Sequence, residues 1–228
     1  MKREIVITSD GSSTIHIPEW DEQYHSKHGA IQEAYHVFIK HGFRYYFNDI
    51  QNLTKTNTTS ILEIGFGTGL NAFITLLESK KNNQAINYVG VEAYPVSMDE
   101  ISQLNYETQL NQERNESLFK LLHKVSWEET HLISDDFSLI KQNKFFSDIE
   151  DENLYNIIYF DAFGARVQPE LWTEAIFQIM YNALKPNGIL VTYAAKGSVR
   201  RAMISVGFKV EKLPGPPGKR EMLRATKD

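Results

Sequence analysis

Residues 60–71 read Ser-Ile-Leu-Glu-Ile-Gly-Phe-Gly-Thr-Gly-Leu-Asn, and the rest of the chain is arranged around them. Ile61, Leu62 and Ile64 form a short apolar run with the character of a buried strand. Gly65, Gly67 and Gly69 then mark a tight turn, and Leu70 to Leu77 opens a helix. Glycine lets the backbone approach a ligand closely, and a helix N-terminus presents unpaired N–H groups. A strand, a glycine turn and a helix start therefore suit a ligand with a ribose or an anionic group.

The spacing narrows the choice. A dinucleotide site wants G-x-G-x-x-G, but Leu70 stands where the third glycine would be. A phosphate loop needs Lys and Ser or Thr after its last glycine, and Leu70 and Asn71 are neither. Glu63, two residues before the first glycine, favours a cationic or hydroxyl-bearing ligand over a pyrophosphate. The pattern E-x-G-x-G-x-G resembles motif I of the class I S-adenosylmethionine-dependent methyltransferases.

A chain of 228 residues that is 42% apolar is long enough for one α/β domain with a sizeable core. No apolar run reaches membrane-spanning length, the N-terminus lacks a secretory h-region, and there is no cysteine; a reducing cytoplasm is the expected location. The seven histidines show no metal-ligand spacing. Net charge is −5, yet residues 185–228 hold ten basic against three acidic side chains, +7, which leaves −12 on the first 184. That asymmetry predicts a basic face for an anionic partner.

Taken in order, residues 4–17 read as a hairpin, and 31–41 and 43–53 as two helices broken at Gly42. Further strands are expected at 86–91, 131–134, 154–160, 189–193, 208–213 and 221–225, with a helix at 137–142. Glu92, ending the second core strand, is placed to bind ribose hydroxyls. Asp136, after the third, is placed to accept the adenine amino group, with Asp135 as an alternative N-cap. Asp161 ends the fourth strand at the carboxyl edge where parallel α/β sheets do their chemistry, which makes it the leading catalytic candidate.

Four stretches carry a more specific resemblance: YHSKHGAIQEAYHVFI (24–39), EIGFGTGLN (63–71), YFDAFGARVQPELWT (159–173) and VRRAMISVGFKVEKLPGPPGKREML (199–223). Through them the chain resembles the methyltransferases of bacterial tRNA wobble-uridine modification, the MnmC/MnmD type. The resemblance implies a Rossmann-like α/β fold with a seven-stranded, mostly parallel sheet whose last strand is antiparallel. It implies a small N-terminal β and helical extension (1–55) on a methyltransferase domain (56–228). It implies S-adenosyl-L-methionine as cofactor, held by Glu63, Gly65, Phe66, Gly67, Thr68, Gly69, Asn71, Glu92, Asp136 and Asp161. Tyr24 and Glu33 would close over its methionine end. The implied reaction is N-methylation of 5-aminomethyl-(2-thio)uridine in a tRNA anticodon stem-loop, with a functional link to the enzymes that install the aminomethyl group. Bifunctional members continue into a flavin-dependent oxidase; that activity is expected to be absent from a chain ending near residue 228. Where those members have a proline after D-x-F, this chain has Ala165-Arg166, and Arg166 becomes a candidate RNA contact.

An alkylamine with a pKa near 10 arrives mostly protonated at neutral pH. Asp161 is expected to orient the amine and accept its proton. Lys196, Arg200, Arg201, Lys219 and Arg220 are the expected phosphate contacts. Two competing readings are a small-molecule N-methyltransferase or aminopropyltransferase, and a non-catalytic module that binds cofactor and tRNA.

Overall fold

The computed structural model describes residues 2–50, 58–112 and 117–228. The expected boundary at 55/56 lies outside them.

Among these residues eight strands make one sheet. In chain order they are β4 (Thr58–Ile64), β5 (Ala85–Val91), β6 (Thr130–Ser134), β7 (Phe137–Gln142), β8 (Tyr155–Phe160), β9 (Leu184–Thr192), β10 (Lys209–Pro214) and β11 (Glu221–Thr226). Their spatial order is β10-β11-β9-β8-β4-β5-β7-β6. β9, β8, β4, β5 and β7 run parallel; β11, β10 and β6 are antiparallel to their neighbours. β8, near the middle of the sheet, is buried along its whole length because both sheet faces are covered. One face packs the core around Phe38, Phe73 and Tyr159 under the N-terminal helix and α2 (Leu70–Asn82). The other packs Phe160, Phe177 and Met203 under α6 (Glu174–Ala183) and α7 (Gly197–Ser205). Three short helices, α3 (Met98–Ile101), α4 (Tyr106–Gln109) and α5 (Leu118–Lys124), lie between β5 and β6.

Residues 137–142 are a strand, not a helix, which makes the sheet eight-stranded. Phe137, Leu139 and Lys141 are buried and alternate with half-buried Ser138, Ile140 and Gln142, a period of two. Asp135-Asp136 is the two-residue turn of the β6–β7 hairpin, with Ser134 paired to Phe137.

A three-stranded antiparallel sheet, β1 (Glu4–Ile7), β2 (Ser13–Ile17) and β3 (Glu22–Gln23), precedes the core. It leads into α1 (Ala30–Ala34), which continues as wider, π-type turns through Tyr35–Arg44 and Tyr46–Ile50. Gly42 does not break this helix. It lets the helix lie on the sheet: a Cβ there would sit 3.0 Å from Val191 and 3.2 Å from Tyr159. No helix among the described residues is long and apolar enough to cross a membrane.

Candidate active site

The sheet order reverses at β4, with β5 on one side and β8 on the other, so a crevice opens at the carboxyl ends of β4 and β8. The glycine turn spans it. The Gly65 and Phe66 amides both donate to Val91 O at 3.0 Å, and the Asp161 amide donates to Ile64 O at 2.9 Å. Gly65 has φ +89°, and a Cβ there would fall 2.8 Å from Asp161 O; Gly67 has φ +49°, with Tyr24 directly over it. These two positions require glycine both for backbone geometry and for space.

A cavity of about 610 Å³ lies over the turn, within the usual size of a small-molecule site. Of the expected residues it is lined by Tyr24, Gly65, Gly67, Glu92 and Asp161. Glu92 accepts the amides of Gly67 (3.0 Å) and Tyr94 (2.9 Å), which fixes its carboxylate at the end of β5.

The other expected cofactor residues stand behind this wall. Glu63 is buried, and its two oxygens accept from Asn71 Nδ2 and Tyr88 Oη, both at 2.9 Å. Burial first, then the Asp161 charge, push its carboxyl well above the usual range. Asn71 also donates to Asp161 Oδ2 at 2.8 Å, so one amide holds two acids. Its Oδ1 is buried without a hydrogen-bond partner among the described residues. Phe66 plugs the space under the turn against His123 and Gly90. Thr68 accepts from Tyr106 Oη at 3.2 Å, and the Gly69 position abuts His123. Glu33 is buried behind the cavity, where it accepts the Ser26 amide (2.8 Å) and pairs with Lys219 (2.7 Å).

Asp136 is misplaced by the sequence reading. Its carbonyl accepts from the Ile86 amide at the amino edge of the sheet, whereas Glu92 meets Gln142 at the carboxyl edge. The length of β7, roughly 20 Å at about 3.3 Å per residue, separates Asp136 from the glycine turn. The segment that follows β7 into the cavity is instead 143–147, where Phe145, Phe146 and Ser147 are lining residues.

Asp161 is half-buried at the cavity wall. Burial, then the nearby Glu33 charge, push its carboxyl up to about 7, against opposing help from Asn71 and Lys219. It is therefore poised to exchange a proton near neutrality.

Sequence reading missed several lining residues. Trp20 and Phe163 are two of them; Trp20 and the expected Tyr24 pack edge-to-face on Phe163, at 5.5 and 4.9 Å between centroids. Tyr94 and Phe145, both largely exposed, form a second aromatic pair at 6.2 Å on the rim. Arg3 donates to Tyr94 O (2.8 Å) and pairs with Glu100, tying the N-terminal sheet across the mouth. The aromatic flanks of the D-A-F stretch were the available signal.

The basic C-terminal segment is smaller as a surface than as a count. Lys219 pairs with Glu33, Arg224 with Glu211, and Lys212 with Glu221. Lys185 and Lys227 are tied to Asn156 and Asn153. Arg166, expected to meet RNA, instead donates to the carbonyls of Trp20 and Asp21 (both 2.9 Å) and pairs with Glu22, clasping the N-terminal sheet. Lys196, Arg201 and Arg220 are exposed; Arg200 is half-buried. Lys196 and Arg220 line a second, shallower hollow that shares the Tyr193 wall with the main cavity.

The residues present fit S-adenosyl-L-methionine. The glycine cradle leaves no room for a side chain, the bare Asn71 acceptor is buried next to it, and Glu92 and Asp161 supply negative charge for a cationic ligand.

Comparison with known proteins agrees. The chain is 30% identical over 211 residues to the tRNA 5-methylaminomethyl-2-thiouridine biosynthesis bifunctional protein MnmC of Leptospira interrogans, covering 90% of this chain and 32% of that one. It thus spans about a third of the length of the curated relatives it matches. The crystal structure of MnmC2 from Aquifex aeolicus superposes with a TM-score of 0.77 at 26% identity, covering 100% of this chain and 70% of that one. A probable spermidine synthase from Corynebacterium glutamicum, at TM-score 0.53 and 15% identity over 98% of this chain and 76% of that one, shares the fold alone. The model of the S-adenosyl-L-methionine-dependent methyltransferase family Methyltransf_30 matches residues 115–228, half of the chain, and the chain belongs to that family.

Proposed function

We propose that the methyl acceptor is the primary amine of 5-aminomethyl-uridine or its 2-thio form at the wobble position of a tRNA anticodon, and that the product is the 5-methylaminomethyl nucleoside. The observation that carries this reading is Asp161: a carboxyl held near neutrality on the wall of the cavity, beside the glycine turn. The kinship with MnmC and with Aquifex MnmC2 supports it.

When bound, S-adenosyl-L-methionine supplies an electrophilic methyl group on a sulfonium. The chain must do the rest. The amine has to present its lone pair about 3 Å from the methyl carbon in an in-line geometry. Asp161 orients the N–H groups and takes the proton that the incoming ammonium gives up. Asn71 fixes the carboxylate that receives it. Trp20, Tyr24 and Phe163 keep water off this side of the cavity. A nucleobase must be turned out of its stack to enter, and the exposed aromatic pair Tyr94–Phe145 and the cations Lys196, Arg201 and Arg220 border its path. The substrate amine must come from a reaction that leaves a primary aminomethyl group on uridine C5.

The test is incubation with methyl-labelled cofactor and tRNA carrying 5-aminomethyl-uridine, followed by nucleoside mass analysis. We expect the label on the 5-methylaminomethyl nucleoside. Label on free amines with none in RNA would make this a small-molecule methyltransferase. In the same assay, Lys196→Glu, Arg201→Glu and Arg220→Glu together should weaken tRNA affinity about 10- to 100-fold at moderate salt and flatten its salt dependence, with cofactor affinity unchanged. Unaltered tRNA affinity would remove this face from the interface.

A further inference from the structure

Two distant parts of the chain meet behind the wall that carries Asp161. Lys219 lies in the Gly215–Gly218 to Arg220 loop before β11, and Glu33 on α1; their Nζ–Oε1 distance is 2.7 Å. Glu33 Oε2 accepts the Ser26 amide at 2.8 Å, so both of its oxygens are fixed. Lys219 Nζ also stands 3.7 Å from the centre of the Tyr193 ring. The Tyr193 hydroxyl donates to Ala162 O at 2.8 Å, the carbonyl immediately after Asp161. Two more contacts from the N-terminal segment seat the loop: His36 Nε2, on the helix that continues α1, meets Pro214 O at 2.7 Å, and the ring of His28, in the turn before α1, fills the space over Gly218, where any Cβ would collide with it. Neither Glu33 nor Lys219 lines the main cavity.

We propose that Glu33 and Lys219 are positioning residues for methyl transfer, which act through Asp161: the N-terminal segment brings one negative charge and the C-terminal loop one positive charge to the acid, and their balance sets its readiness to take the amine proton. This rests on the reading of Asp161 given above. The charges that act on Asp161 are Glu33 from α1 and Lys219 from the C-terminal loop; Glu63 of β4 is joined to it through Asn71 of α2, Tyr193 at the end of β9 is bonded to the next residue's carbonyl, and Tyr88 of β5 feels its charge. Glu33 favours the protonated acid and Lys219 the carboxylate, so the two members of the pair oppose each other. A pair that only stapled the chain ends together would leave the acid's titration where it is.

The signs decide between these. Removing the Glu33 charge leaves Lys219 unopposed and should lower the Asp161 midpoint. Removing Lys219, with Glu33 still seated on the Ser26 amide, should raise it. The experiment is a carbon-13 carboxyl NMR titration of Asp161 in the full chain, wild type against Glu33→Gln, Lys219→Met and the double variant, with the pH profile of kcat/KM beside it. We expect shifts of about one unit, tenfold in the protonation ratio, downward for Glu33→Gln and upward for Lys219→Met. The double variant should return toward wild type, and the acid limb of kcat/KM should follow each shift. Midpoints that stay together, or move the same way in both single variants, would overturn the proposal whatever happens to stability. Should Glu33→Gln not fold, the sign of the Lys219→Met shift decides alone. Asp161→Asn, assayed alongside, separates the two failures: full activity in it would sink the underlying reading of Asp161 and not merely the pair.

Discussion

Asp161→Asn should lose methyl transfer by about 100- to 10,000-fold at pH 7 while binding the cofactor within a few-fold of wild type. Asn fills the same volume and its carbonyl can still accept from Asn71 Nδ2, so the wall of the cavity persists. What it cannot do is take a proton. The wild-type acid is held up to about 7, so its carboxylate form, and with it kcat/KM, should rise through pH 7. The variant should show no such limb. Folding stability runs the other way. An acid whose folded pKa is raised keeps its proton in the native state while the unfolded chain ionises near 4, so its contribution falls between about pH 4 and 7. Above pH 7 the native state carries a charge in a poorly solvated place. A neutral amide at this position escapes that cost, and the variant should be about 2 kcal/mol more stable at pH 8 and near wild type at pH 4, by urea unfolding. The full shift at about 1.36 kcal/mol per unit would give about twice this, but the carboxyl borders an open cavity. Single-turnover rates within threefold of wild type would remove Asp161 from the chemistry. A loss of rate matched by an equal loss of cofactor affinity would make it a binding residue only.

The parts of this site that could be read in advance are those where local sequence and strand geometry carry the meaning. Ile61 to Gly69 had to be a strand and a turn, and carboxylates closing β5 and β8 had to stand at the same edge as that turn. What could not be read in advance shares a physical cause: it depends on what comes close through space. Glu33 and Lys219 are 186 positions apart, so a count of charges took Lys219 for a free phosphate ligand. Arg166 likewise answers carbonyls 145 and 146 positions away. Gly42 looks like a helix breaker unless one knows that β9 and β8 press against it. The error at Asp136 was different, because the signal was local. The alternation of Phe137, Leu139 and Lys141 has the period of a strand, and the acidic pair before it masks that period by resembling a helix cap. Placing 137–142 in the sheet moves the strand's carboxyl end, and so the ligand-facing loop, to residues 143–147.

Asn71 tests whether the acid's surroundings matter as much as the acid. Its amide donates to Glu63 Oε1 at 2.9 Å and to Asp161 Oδ2 at 2.8 Å. Asn71→Ala leaves Glu63 with Tyr88 as its hydrogen-bond donor and takes from Asp161 a bond that favours the carboxylate. Stability should fall by about 1–3 kcal/mol, the cost of leaving buried polar groups unpaired. The Asp161 midpoint should move above 7, since a group that stabilised the charged form is gone. Transfer at pH 7 should then drop by about tenfold or more and recover in part as pH rises toward 9. Tyr88→Phe is the contrasting variant. It removes the other donor to Glu63 but leaves the Asn71–Asp161 bond, so it should cost stability and barely move the pH limb. If both variants lose stability alike and both keep their pH limb at 7, then Asn71 merely anchors the start of α2. In that case the proton affinity of Asp161 is set by its burial and the Glu33–Lys219 charges, and the bridge between the two acids has no part in the reaction.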